Sequence, residues 1–313
     1  MSEIKKVLLD TDIGDDIDDT LALLMLLKLK NIEIVGITTV FANTPLRARL
    51  AKKILKSAGL LDIPVFAGLG DPLSHTTDKL RGFVQQTDDL LNSEYAPNNT
   101  DVYNGNEAVD FILSCAKEYG KSLTILAIGP YTNIAAAYQK DSAAFKNIRE
   151  AVFMGGCFYE QFIEYNVAMD PEAADIVIGA DMEASFIGAD VTWQAQLDDI
   201  QTKYVLNIRE NSLRGYCSEL VRLWKEQCWF NPVLHDPLAA YYVSDKSICQ
   251  TEKLWIVTEL NGKYTRGLTL NMDSCFKYLE HKTPRKKRIC CAKSVDVERF
   301  IKGFLDLTFR SDD

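Results

Sequence analysis

Val7-Leu8-Leu9-Asp10-Thr11-Asp12-Ile13-Gly14-Asp15-Asp16-Ile17-Asp18-Asp19 runs from an apolar segment into six carboxylates within ten positions. A second apolar run, Thr20 to Leu27, follows at once and is long enough for a helix. The acids therefore fall on a strand-to-helix turn, and Gly14 permits a sharp bend within it. Like charges gathered this way repel, which is costly unless a cation compensates or some of the acids hold protons. Hard divalent cations favour cages of carboxylate oxygens, and the later acids lie near the positive end of the helix. A solvated acidic turn with aspartate caps would show the same local pattern, so the remaining chain has to decide.

Outward from this turn, short β-branched runs alternate with helix-like segments. Strands are expected at 7–10, 34–40, 64–67, 123–128, 151–154, 184–189 and 289–292. Helices are expected near 17–30, 45–57, 106–118, 133–137, 171–178 and 295–307, with one helical pattern across 198–229. The polar stretch 68–104 reads as a long loop of the kind that often forms a lid. Asn261-Gly262 between 254–260 and 263–270 is a strong hairpin signal. This order predicts an α/β fold: a mostly parallel open sheet with helices on both faces and a late antiparallel hairpin, in a single domain over residues 1–313. In such sheets ligands bind beyond the carboxyl ends of the strands. Asp10 and Asp12, Asn43, Gly129-Pro130 and the polar stretch 160–166 all follow strands and converge on that edge.

Composition removes several alternatives. A net charge of −9 argues against a grip on nucleic acid, which needs a basic face. The basic cluster 282–288 reads as a solvated loop. No apolar stretch is long enough to span a bilayer, and the N-terminus lacks a signal-peptide core, so no membrane partner is expected. The eight cysteines show no CxxC spacing and read as thiols of a reducing compartment, which makes the cytoplasm the expected location.

Several short motifs, in order, make the reading specific. Asp10-Thr11-Asp12-x-Gly14 with Asp18-Asp19, then Thr38-Thr39-Val40 and Asn43, resembles the calcium-dependent inosine–uridine nucleoside hydrolases. So do Gly129-Pro130-Tyr131-Thr132-Asn133, Met154-Gly155-Gly156, Glu164-Tyr165-Asn166, Asp170-Pro171-Glu172, Asp190-Val191-Thr192, His235-Asp236-Pro237 and Thr265-Arg266-Gly267. The resemblance implies hydrolysis of a small ribonucleoside to ribose and free base, in a homodimer or homotetramer. By position it implies that Ca2+ is held by Asp12, Asp19, the Ile128 carbonyl and Asp236. Asp12 would be the general base and His235 a candidate acid for the leaving base. Asp18, Asn43, Glu164 and Asn166 would meet the ribose hydroxyls, with Met154 as an apolar flank. Of the aromatic residues Trp193, Trp224, Trp229 and Phe230, Trp229 or Trp224 is expected to stack on the base.

The chain departs from the family pattern at four places. Its first motif is two residues longer, which leaves Asp15 and Asp16 without a family role and either one a possible metal ligand. Ile13 replaces a proline, and the segment between Gly156 and Glu164 is short. Leu80-Arg81-Gly82-Phe83-Val84-Gln85-Gln86 stands where a His-Gly-rich segment is usual, which leaves base recognition open. Two other readings remain at this stage. One is a non-catalytic calcium-dependent nucleoside binder. The other is a haloacid-dehalogenase-type phosphatase with Asp10 as nucleophile.

Overall fold

The computed structural model describes residues 3–74, 84–102, 104–275 and 287–310. His75 and His281, and residues 282–286 of the basic cluster, lie outside the described residues. The strands are β1 (Lys5–Thr11), β2 (Ile32–Thr39), β3 (Val65–Ala67), β4 (Leu123–Ala127), β5 (Glu150–Met154), β6 (Ala184–Ile187), β7 (Cys249–Leu254), β8 (Ile256–Thr258), β9 (Thr269–Asn271) and β10 (Ile289–Val295). Eight of them form one sheet in the order β3-β2-β1-β4-β5-β6-β10-β7, parallel except where β7 runs against β10.

β1 lies inside this sheet, between β2 and β4. Val7, Leu8 and Leu9 are fully buried, as a strand covered on both faces requires. Side chains alternate across the sheet. Val7 and Leu9 join the core under helix α1 (Asp18–Lys28), whereas Leu8 joins the core with the helices Asn106–Tyr119 and Thr132–Lys140. α1 is buried from Asp18 through Leu26 because the helices Leu213–Lys225, His235–Ser244 and Val297–Thr308 pack around it. An all-round apolar helix is the expected consequence of that position.

Two expectations are refined. The helical stretch 198–229 is two helices, Asp199–Leu206 and Leu213–Lys225. The late hairpin is present, since β8 pairs antiparallel with β9, but Asn261-Gly262 is not its two-residue turn. Instead, Glu259 Oε1 accepts from the Asn261 and Gly262 amides, and a longer loop returns through Arg266 and Gly267. Among the described residues no helix is long and apolar enough to cross a membrane.

Asp10 ties the sheet to its surroundings. Its Oδ1 accepts from Thr38 Oγ1 on β2 (2.6 Å) and from Asn133 Nδ2 (2.8 Å), while its Oδ2 is buried with no partner. Burial pushes its carboxyl up to about 7. The folded chain thus keeps this proton up to about pH 7, whereas the unfolded chain releases it near pH 4. Between those values the native state binds more protons, so this group's contribution to stability falls as pH rises. Asp10→Asn should therefore gain in thermal midpoint relative to the wild type between pH 5 and pH 8, measured with chelator present. A constant difference across that range would contradict the protonated native carboxyl.

Candidate active site

A cavity of about 400 Å³ opens at the carboxyl ends of the parallel strands. The β1–α1 turn contributes Asp12, Asp15, Asp16, Asp18 and Asp19 to its wall. Ile128 after β4 and Met154 at the end of β5 line it as well, and the segment after β5 adds Phe162, Ile163, Glu164, Tyr165 and Asn166. Trp193 follows β6, and the helix His235–Ser244 supplies His235 and Asp236.

Asp18, Asp19 and Asp236 are buried, and one ligand atom from each lies within 4.8 Å of the others. Two helix N-termini converge here, since Asp18 and Asp19 open α1 and Asp236 sits in the first turn of its own helix. Their positive ends offset part of the negative charge. Few side-chain and backbone donors add to that. Thr11 Oγ1 donates to Asp19, and the Asp236 amide donates to Asp18 over 3.4 Å. Burial, and then mutual repulsion, holds all three carboxyls well above the usual range. Such a set of buried oxygens can coordinate a metal ion. Asp12 lies beside this trio rather than within it. Burial raises its carboxyl to about 7 against the opposing pull of the Arg47 guanidinium.

Glu164 is held differently. It caps the short helix Tyr165–Met169, and its carboxylate accepts from the amides of Gly156 (3.0 Å), Asn166 (3.0 Å) and Val167 (3.1 Å). Close approach is possible because Gly155, at φ 142°, has no side chain; a Cβ there would stand 2.9 Å from Glu164 Oε2 and 2.2 Å from the Tyr131 hydroxyl. Asn166 Nδ2 donates to the carbonyls of Ile128 (2.8 Å) and Met154 (3.2 Å). A carbonyl has two lone pairs, so Ile128 keeps one.

His235 Nδ1 lies 2.6 Å from Thr192 Oγ1, and its ring meets Trp193 edge-on at 4.8 Å. Burial lowers the imidazole to about 4, so it is neutral at physiological pH. Trp193 also meets Phe162 edge-on, and both rings are partly exposed at the cavity.

The structure leaves four of the sequence candidates out of the cavity lining. Asn43 is exposed, and its Oδ1 instead caps helix α2 (Thr44–Ser57) by accepting from the Leu46 amide at 3.2 Å. Trp229 is 91% exposed and packs on Phe230. Trp224, the alternative, is buried and its indole hydrogen bonds the Asp16 carboxylate. Asp10, the nucleophile of the phosphatase reading, is fully buried and does not line the cavity. Conversely, Trp193, a member of the aromatic set but not its preferred candidate, lines the cavity, and so do Phe162 and Ile163 of the stretch 160–166. Trp193 follows the expected strand 184–189 by one short turn, Asp190-Val191-Thr192, which is the signal that places it there.

A family model described as inosine-uridine preferring nucleoside hydrolase matches residues 7–302. Uridine nucleosidase 1 of Arabidopsis thaliana is 30% identical, over 94% of this chain and 90% of that protein. The inosine-uridine preferring nucleoside hydrolase of Leishmania major is also 30% identical, over 95% of each. Among solved structures, a plant nucleoside hydrolase superposes with a TM-score of 0.82 at 26% identity, covering 98% of this chain and 99% of that one. A purine-preferring ribonucleoside hydrolase from Gardnerella vaginalis gives 0.77 at 29% identity, covering 96% and 97%.

The carboxylate trio sets a thermal prediction. Asp236→Asn removes one of three repelling charges, so the chelated protein should melt at a higher temperature than the wild type. The wild type should gain about 2.7 kcal/mol at a divalent-cation concentration 100 times its dissociation constant, and the variant should lose most of that gain. Equal cation-induced shifts in both proteins would show that Asp236 does not hold the ion.

Proposed function

The chain belongs to the inosine-uridine preferring nucleoside hydrolase family and hydrolyses the N-glycosidic bond of ribonucleosides, and from that premise we propose a division of labour among its residues. Asp12 is the general base, and Asp12, Asp19, Asp236 and the Ile128 carbonyl are the ligands of Ca2+, with Asp18 close enough to share the ion or to meet the ribose. The buried trio of carboxylates with ligand atoms within 4.8 Å is the observation that carries this reading, because it fits a hard cation and little else. When bound, calcium supplies the positive charge that orients and acidifies a water at the sugar.

Cleavage of the glycosidic bond passes through an oxocarbenium-like transition state. Asp12, in the cavity wall beside the carboxylate trio, is placed to take a proton from a water at the sugar. Glu164 is kept in register by three amides and accepts from ribose hydroxyls, and Asn166 is fixed beside it by the Ile128 and Met154 carbonyls. Met154 forms the apolar flank of the sugar. A ribose cage of buried polar groups rejects 2′-deoxynucleosides, which would leave those groups unpaired. His235, neutral and held through Thr192, serves the departing base as a hydrogen-bond donor from Nε2. Trp193 and Phe162 take the place in base stacking first expected of Trp229. The relatives are described as acting on uridine, on inosine and uridine, or on purine ribonucleosides, so family membership leaves the preferred base open. A cytoplasmic dimer or tetramer completes the proposal, and light scattering on the purified chain tests the copy number.

Incubation with inosine, uridine, cytidine, adenosine and nicotinamide riboside in calcium should release reducing sugar from at least one, and far less from its 2′-deoxy counterpart. Asp12→Asn should abolish turnover; near wild-type rates would remove the base assignment. His235→Ala should lower kcat by roughly 10²-fold. Trp229→Ala should leave KM unchanged while Trp193→Ala raises it, and the opposite pattern would restore the first expectation.

A further inference from the structure

The two residues that lengthen the acidic turn go separate ways. Asp16 stays at the cavity, its carboxylate accepting from the Ile17 amide (2.6 Å) and the Trp224 indole. Asp15 turns to Arg47, whose Nη2 lies 2.7 Å from Asp15 Oδ2. Arg47 is only 2% exposed although it sits on α2, a helix in which Arg49, Lys52, Lys53 and Lys56 follow it. The same guanidinium donates through Nη1 to the backbone carbonyls of Asp12 and Ile13 (3.1 Å to the latter) and through Nε to the Phe41 carbonyl at 2.8 Å. Phe41 and Ala42 both adopt left-handed backbone, at φ 69° and 54°, which L-residues keep only where the surroundings over-determine it. One planar fork thus joins the acidic turn to the turn after β2.

We propose that Arg47, locked in place by Asp15, is a positioning residue for the reaction: it fixes the peptide groups on which Asp12 is mounted and so presents that carboxylate to the cavity. The proposal rests on the reading of Asp12 as base and metal ligand. It also gives the lengthened turn a purpose. An acid that looks in the sequence like a spare metal ligand is the counter-ion of the clamp. Four acceptors on two segments need the rigid guanidinium geometry, which the single ammonium of lysine does not reproduce. Gln85 braces the far side of the turn, with its amide on the Gly14 carbonyl (3.2 Å) and its Oε1 accepting from Thr20, yet it does not touch Asp12.

The test pairs Arg47→Met with Asp15→Leu, so that no buried charge is left without its partner and the fold persists. The double variant should melt within a few degrees of the wild type and keep its KM for the nucleoside turned over fastest, while kcat falls about 100-fold, as for a displaced catalytic group. Its calcium affinity, measured calorimetrically without nucleoside, should fall about 10-fold. Arg47→Lys should not restore kcat. Asp15→Asn, which keeps an acceptor for Nη2, should retain more of kcat than Asp15→Ala. Wild-type kcat and calcium affinity in the folded double variant would overturn the proposal. Should that variant not fold, equal kcat in Asp15→Asn and Asp15→Ala would overturn it instead. An Asp12→Asn enzyme of wild-type rate would remove the reading beneath the proposal, whereas Arg47 variants of wild-type rate beside an inactive Asp12→Asn would remove the clamp alone.

Discussion

Repulsion between carboxylates that have been taken out of water is the constraint on which this molecule is arranged. The acids around the cavity answer it in three ways. Three backbone amides offset part of what burial costs Glu164, and a buried guanidinium pairs with Asp15. Asp18, Asp19 and Asp236 receive two helix N-termini but too few direct donors, and their charge is raised in free energy accordingly. In the first two the chain itself supplies the direct donors or the counter-charge. The third is left open, and that difference separates the acids that hold the architecture from those available to an ion.

The parallel sheet is what makes such a gathering possible. Each strand ends on the same edge, so residues far apart in sequence arrive together without long excursions of the chain. β1 delivers the acidic turn, β4 the Ile128 carbonyl, β5 Met154 and the Glu164 segment, and β6 the Thr192–Trp193 pair behind His235. Asp10 does its work one layer below, joining β1, β2 and the helix after β4 through Thr38 and Asn133. It is structural, although in the sequence it is indistinguishable from Asp12.

Much of this was legible from residues alone, for physical reasons. Buried parallel strands must be continuously apolar, and the turns that follow them must hold the ligand-binding groups, so β1, the alternation and the converging motifs could be read in order. Nine of the expected positions line one cavity. What could not be read depended on which face of a helix or loop points inward. Asn43 has the composition of a ribose ligand, yet the Leu46 amide in the first turn of α2 claims its side chain. Arg47 and Arg49 are near neighbours on α2, and only the packing of that helix decides that Arg47 is buried. Trp224 and Trp229 look alike in a helical pattern, but one turns into the core to hold Asp16 and the other into solvent.

The hydrogen bond from the Asp236 amide to Asp18 spans 218 positions of the chain. Closing so long a loop costs entropy that local contacts cannot offset early, and non-local contacts of this kind form late in folding. β10, the last strand, must also insert between β6 and β7 before the sheet is complete. A chain still emerging from synthesis can therefore build the acidic turn long before it owns the third carboxylate. The three-carboxylate cluster thus comes into being only with the finished fold.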